Sequence, residues 1–294
     1  MTGVALMDAR SIAATAANSG YITSAADMDI EYKSYPYHFD SEIYRKRVYC
    51  GYKKPQKDVE LRYSPNITPW PEMYPLAENL LLVLAAVIRD PVTTTDELIP
   101  SGETSSYRSN PVKLADFTLS RRVPEYVNRA KKIRDLESER RKGSKLPKFE
   151  EILDKLNHPN GANNLNTAIG SVIFANKPGD GSAREQAASS QKVLGGLANI
   201  AYEYATKRYR SNCINWGIIP FTIDPEEPFE YQPGDKIFIP GIRKAIAGGI
   251  ESIPAKIITD SGIKDIQLHL KGLTREEREN IISGSLINFY ARKK

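Results

Sequence analysis

Residues 169–223 read IGSVIFANKPGDGSAREQAASSQKVLGGLANIAYEYATKRYRSNCINWGIIPFTI. Ile169 to Ala175 is a short, continuous apolar run bounded by turn formers, which predicts a buried strand. Pro178-Gly179-Asp180-Gly181 then turns the chain, and a short helix is expected from Ala183. An apolar stretch at Leu197–Ala201, a helical stretch at Tyr202–Tyr209 and a strand at Gly217–Ile223 continue the alternation. Strands alternating with helices over such a span argue for a compact α/β domain.

Further strands are expected downstream at Lys236–Ile239, Ala255–Thr259 and Asp265–Leu270, followed by a helix opened by a Thr274/Glu277 capping box. Upstream the pattern changes. Residues 4–19 read as a short alanine-rich helix stopped at Gly20. Residues 21–75 hold many Tyr and Pro with little periodicity, including Tyr32, Tyr35, Tyr37, Tyr44, Tyr49, Tyr52 and Tyr63, and read as an extended arm. Pro75–Arg89 (PLAENLLLVLAAVIR) reads as a buried helix. Residues 93–111 are a long loop rich in turn formers. Residues 112–142 predict a helix interrupted near Pro124, and 148–157 another. The charges of YVNRAKKIRDLESERRKG (126–143) read as a solvated face, with an anion or RNA site as the alternative.

The bulk numbers narrow the function classes. A chain of 294 residues suggests about two units. Its 41 basic residues against 36 acids leave +5, too small an excess to argue for nucleic acid and compatible with an anionic small substrate or with mere solubility. Two cysteines, Cys50 and Cys213, form no disulfide framework and suit a reducing cytoplasm. The longest apolar run, Leu80–Ile88, is too short to span a bilayer. The N-terminus has no basic n-region, and Asp8 interrupts its apolar stretch, so no signal peptide is read and the expected location is the cytoplasm. His38, His158 and His269 show no ligand spacing, and no Cys-x-x-Cys, Walker loop, dinucleotide fingerprint or nucleophile elbow occurs.

Two loops carry chemistry. In Gly179-Asp-Gly-Ser-Ala-Arg-Glu185 a strand runs into a glycine turn and a helix start, where amides favour an anion. Ser182, with Arg184 two residues on, can bind a carboxylate or serve as an activated nucleophile or base. The spacing Ser182–Glu185 equally fits a capping box, and the two roles are compatible, since N–H groups aimed at the hydroxyl oxygen would also stabilise its anion. The other loop, Thr94–Gly102, runs on to Arg108. The planar guanidinium of Arg108 is suited to a carboxylate, or to a structural surface role. Asp96, taken alone, fits a turn or cap.

GDGSAREQAASSQKVLGGLANIAYEYATKRYRSNCINWGIIPFTI (179–223) resembles the swivel domain of aconitases and isopropylmalate dehydratases, which typically reads G-x-G-S-S-R-E-H-A, then L-G-G, I-A, and Asn with a following G-L-L-P. PGDKIFI (233–239) and LTREERENIISGSLINFYARK (273–293) look like the same family's closing strand and helix. TTDELIPSG (94–102) with Arg108 looks like its T-T-D-H-I-x-x-x-G loop and substrate arginine, and the wording there is most like bacterial aconitase-family proteins labelled hydratase. ALMDARSIAATAANSGYIT (5–23) looks like the last helix of the preceding, cluster-side domain.

The resemblance implies three parts: 1–25 as the end of that preceding domain, 26–90 as a linker arm and helix, and 91–294 as a swivelling β/β/α-type α/β domain. It implies a hydro-lyase acting on a di- or tricarboxylic hydroxy acid. Ser182 would be the base that takes the proton next to a carboxylate. Arg184 and Arg108 would hold carboxylates, Asp96 would orient its neighbours, and Gly181 and Ala183 would line the substrate. A [4Fe–4S] cluster would sit on N-terminal domains, with no metal ligand in this chain. Those domains would belong to the same longer chain, of which this is a C-terminal fragment, or to a separate subunit. Neither DNA nor a membrane is an expected partner.

The departures are Ala183 for the motif's second Ser, Gln186 for His, and Glu97 for the His after Asp96. They put the substrate in question more than the reaction type. Two rival readings stand beside this one. The chain is the small subunit of an isopropylmalate-type dehydratase, or it is a non-catalytic RNA-binding module using the basic helix 129–142.

Overall fold

The computed structural model describes residues 4–29, 31, 33, 35–47, 51, 53–60, 62–156 and 166–292. Cys50, His158, Tyr32, Tyr49 and Tyr52 lie outside the described residues. The chain divides into two units, Met1–Leu61 and Arg62–Lys294. No helix of the described residues is long and apolar enough to cross a membrane.

In the first unit, α1 (Ala9–Ala17) starts where Asp8 Oδ1 accepts the N–H groups of Arg10 at 2.9 Å and Ser11 at 3.2 Å. Gly20 beyond it takes a positive φ of 87°, open to glycine without steric cost. A second helix, α2, spans Glu42–Arg47. Tyr21, Tyr35, Tyr37 and Tyr44 are exposed.

The second unit is built on β1 (Asn79–Ile88), β2 (Thr93–Thr94), α3 (Thr95–Leu98), α4 (Pro111–Ala115), α5 (Tyr126–Arg141) and α6 (Pro147–Lys155). There follow β3 (Thr167–Ala175), β4 (Pro178–Asp180), α7 (Arg184–Val193), β5 (Gly196–Ala201), α8 (Lys207–Asn215) and β6 (Ile219–Thr222). The unit closes with β7 (Lys236–Ile239), α9 (Ile242–Gly248), β8 (Ser252–Thr259), β9 (Gly262–His269), α10 (Arg275–Ser283) and α11 (Leu286–Arg292). Among the described residues, seven strands close a barrel in the order β1-β3-β5-β6-β9-β8-β7. The first three neighbouring pairs are parallel and the remaining four antiparallel. The architecture is mixed α/β, as the alternating pattern leads one to expect.

One expectation fails at the centre of this fold. Pro75–Arg89 is not a helix: its apolar core is strand β1, paired with β3 and β7. Leu80, Leu82 and Leu84 face the barrel interior with Val172, Phe174 and Ile237. Leu81, Val83 and Ala85 face outward, under Tyr126, Ala130 and Ile133 of α5. Both faces are covered, so no polar residue marks the period of two, and a short run of this kind is indistinguishable from a buried helix by pattern. A smaller shift affects Tyr202–Tyr209. The helix begins only at Lys207, because Thr206 Oγ1 caps it by accepting the Tyr209 N–H at 3.2 Å.

Helix α5 also departs from expectation. It is not a wholly solvated face. Arg140 donates to both carboxylate oxygens of Glu137, at 2.8 and 2.9 Å, and to Thr167 O at 2.7 Å. Glu137 Oε1 also takes Arg141 Nε at 2.7 Å, and its Oε2 takes the Ile169 N–H at 3.3 Å. The pair therefore bolts α5 to the start of β3. Lys132, Asp135, Glu139 and Lys142, which do face solvent, are of mixed sign.

Candidate active site

Two segments far apart in sequence meet through a short parallel pairing. In β2–β4, Thr93 pairs with Pro178 and Thr94 with Asp180. This lays the loop after β2 beside the glycine turn after β4. Helices α3 and α4 both pack on α7, which fixes the rest of the first loop against the second.

The glycine turn is dictated by its neighbours. Gly179 has φ 99°, and a Cβ there would lie 2.3 Å from the Tyr209 ring. Gly181 has φ 108°, and a Cβ there would lie 2.6 Å from Thr95 Oγ1. Thr95 also accepts the Ala183 N–H at 3.1 Å, and Thr206 donates to Gly179 O at 2.9 Å. Gly179→Ala combines left-handed strain with overpacking against a buried ring, so it should destabilise the chain by about 1–3 kcal/mol. Urea unfolding of the variant measures this, and an unchanged midpoint would show that the turn relaxes freely.

Ser182 does not cap the helix, contrary to the spacing-based alternative. Helix α7 starts at Arg184, with Ala183 in the N-cap position and no side-chain cap bond. The Ala183 amide is taken by Thr95 instead, and Glu185 accepts Trp216 Nε1–H at 3.0 Å rather than reaching back. The Ser182 hydroxyl is thereby left exposed, with no described hydrogen bond, at the mouth of the turn. Arg184 beside it has a buried Nε with no partner. Gly181 is exposed and Ala183 half-buried.

In the facing loop the capping box forms where sequence spacing was not read that way. Thr94 N–H donates to Glu97 Oε2 at 2.7 Å, and Glu97 N–H donates to Thr94 Oγ1 at 3.2 Å. Glu97, which stands where the resembled motif has His, is therefore committed to holding α3. Asp96 accepts from the Ser101 amide at 3.0 Å and hydroxyl at 3.1 Å, and from Arg121 Nη1 at 3.1 Å. These donors, the Ser101 amide foremost, hold the Asp96 carboxyl below the usual carboxylate range. Arg108 is exposed at the end of a 3-10 turn (Ser105–Tyr107), with no ion pair of its own among the described residues. Among the described residues no hydrogen bond or ion pair joins Arg108 to Ser182. Thr95 and Arg121 went unnoticed in the sequence. A threonine in TTTDEL and an arginine in SRRV carry no spacing signal, and only the fold shows what they tie down.

Among the described residues no group of three or more His, Cys, Asp or Glu could hold a metal ion. Cys213 is fully buried, and desolvation pushes its thiol up to about 12, the opposite of what a thiolate ligand needs. These residues do not fit an iron–sulfur cluster. Iodoacetamide at pH 8 should leave the Cys213 peptide unmodified in the folded chain and alkylate it in urea. Native-state labelling would contradict the burial.

A family model described as the aconitase C-terminal domain matches residues 136–226. The span runs from the end of α5 to just beyond β6. It contains Gly181, Ser182, Ala183 and Arg184 but neither Asp96 nor Arg108. Among solved structures the chain is similar to 3-isopropylmalate dehydratase (leuD) from Methanocaldococcus jannaschii, with TM-score 0.45 and 23% identity, covering 73% of this chain and 95% of that one. No curated protein matches the chain. The segment that frames Ser182 is thus the part of the chain that matches the aconitase C-terminal domain model.

Proposed function

We propose that this chain supplies the substrate-facing part of a hydro-lyase site that hydrates and dehydrates a di- or tricarboxylic hydroxy acid. The observation that carries this reading is the uncommitted, exposed hydroxyl of Ser182 beside the unpartnered Nε of Arg184, at the start of α7. Local positive potential from Arg184 and from the first amides of the helix lowers the cost of a serine alkoxide. That oxygen takes the proton from the carbon next to a substrate carboxylate. The C–H electron pair becomes the double bond, and the hydroxyl leaves the neighbouring carbon as water, protonated by a group outside this chain.

Arg184 and Arg108 offer planar forks to carboxylates, and Asp96, held ionised by Ser101 and Arg121, keeps the first loop in place. Aconitases use a [4Fe–4S] cluster; in this reading other domains hold it, either upstream in a longer chain or in a separate subunit. Loss of the motif's second hydroxyl at Ala183 leaves a wider, less polar place beside Ser182, which points to a substrate with fewer polar groups there. Losing the guanidinium fork by Arg184→Lys in the complete enzyme should raise KM for the hydroxy acid about tenfold to a hundredfold. Steady-state kinetics over a panel of hydroxy acids tests this, and an unaltered KM would remove Arg184 from substrate binding.

A further inference from the structure

At the other end of α7, about 15 Å from Ser182 by helical rise, lies a cavity of about 420 Å³. It opens between the segment Pro71–Ala77, the C-terminal part of α5, the end of the barrel at Leu80 and Ala168, and Ile281 of α10. Its size is that of a small-molecule site. One charged head enters it without a counter-ion, that of Lys192 in the last turn of α7. Its Nζ makes one long hydrogen bond, 3.4 Å to Gly217 O, and pairs with no carboxylate among the described residues.

The acids around the cavity are already engaged or stand at its outer edge. Glu137 is held by Arg140 and Arg141, Asp135 by Arg134, and Glu72 accepts the Tyr74 hydroxyl at 3.0 Å. Arg141 also lies over the Tyr74 ring, 3.9 Å from its centroid. Desolvation pushes the Lys192 ammonium down to about 8.

We infer that this cavity binds a small monocarboxylate with an apolar body, its acid group on Lys192 Nζ and its body against Leu80, Ala168, Ile169, Leu197 and Ile281. One anionic oxygen pair neutralises Lys192, the one cation among the described lining residues without an ion pair, and the apolar wall buries the rest of the molecule. A compact multiply charged anion would find no second unpaired cation among the described lining residues and would meet Glu72 and Asp135. The site is separate from the glycine turn and does not rest on the hydro-lyase reading.

Sodium octanoate is a suitable probe, with octylamine as the charge-reversed control, both added to the whole chain in a thermal-shift titration. Octanoate should raise Tm and octylamine should not. Lys192→Met should weaken octanoate binding at least tenfold, Lys192→Arg should retain it, and Ala77→Trp should abolish it by filling the cavity while leaving the lysine in place. Octanoate should also slow acetylation of Lys192 by limiting acetic anhydride, read by peptide mapping. That readout stands even where Lys192→Met fails to fold. Because the carboxylate favours the ammonium form, binding should weaken as pH rises past about 8. Equal shifts with octanoate and octylamine, or an octanoate shift that survives both Lys192→Met and Ala77→Trp, would overturn the assignment.

Discussion

Ser182→Ala in the complete enzyme should lower kcat by about 10²–10⁴-fold, the usual contribution of a positioned general base. The fold should survive, since Ser182 is exposed and makes no described hydrogen bond. The turn that carries it is held by others: Thr95 through the Ala183 amide, Thr206 through the Gly179 carbonyl, and the Tyr209 ring beneath Gly179. KM should change little if the serine oxygen acts mainly on the transferred proton and the arginines hold the acid. Circular dichroism and urea unfolding separate loss of rate from loss of structure. Near-normal turnover in a folded variant would take Ser182 out of the mechanism.

A second large effect is expected in stability. Glu137→Leu removes the carboxylate that neutralises Arg140, whose side chain is only 2% exposed. It also strips Arg141 of its acid and leaves the Ile169 amide at the start of β3 without its acceptor. Breaking a buried pair from one side costs about 3–5 kcal/mol, because the remaining charge loses the carboxylate that offset its desolvation. The double replacement Glu137→Leu with Arg140→Met should recover much of that loss, since neither charge then remains buried. Urea unfolding of the full chain measures both. A loss below about 1 kcal/mol in the single variant would mean that Arg140 reaches water readily.

The legible part of the sequence was the part whose chemistry is local. The apolar run of β3, the glycine turn at 179–181 and the Thr274 capping box are each set by residues within a few positions, and each stands where the pattern placed it. The run in β1 was misread because its two faces are covered by different layers, barrel interior and helices, which no single stretch of sequence records. The same limit explains Ser182. Its spacing to Glu185 is that of a cap, but Trp216, thirty-one positions further on, claims the glutamate, and Thr95, eighty-eight positions back, claims the Ala183 amide. The serine's freedom is a tertiary fact. Helix α5 shows the converse: a segment dense in charge, yet with two of its charges locked against each other in the interior.

The proposal's central claim is that the turn at 179–184 works on a carboxylic hydroxy acid. The direct test is anaerobic assembly of the protein with the domains that bear its cluster, followed by an ultraviolet assay for the unsaturated acid across di- and tricarboxylic hydroxy acids. The expected result is an absorbance rise with at least one of them, lost when alanine stands at 182. An intact assembly that turns over none of the acids, or one that turns over the same acid equally well with that alanine, would contradict the account.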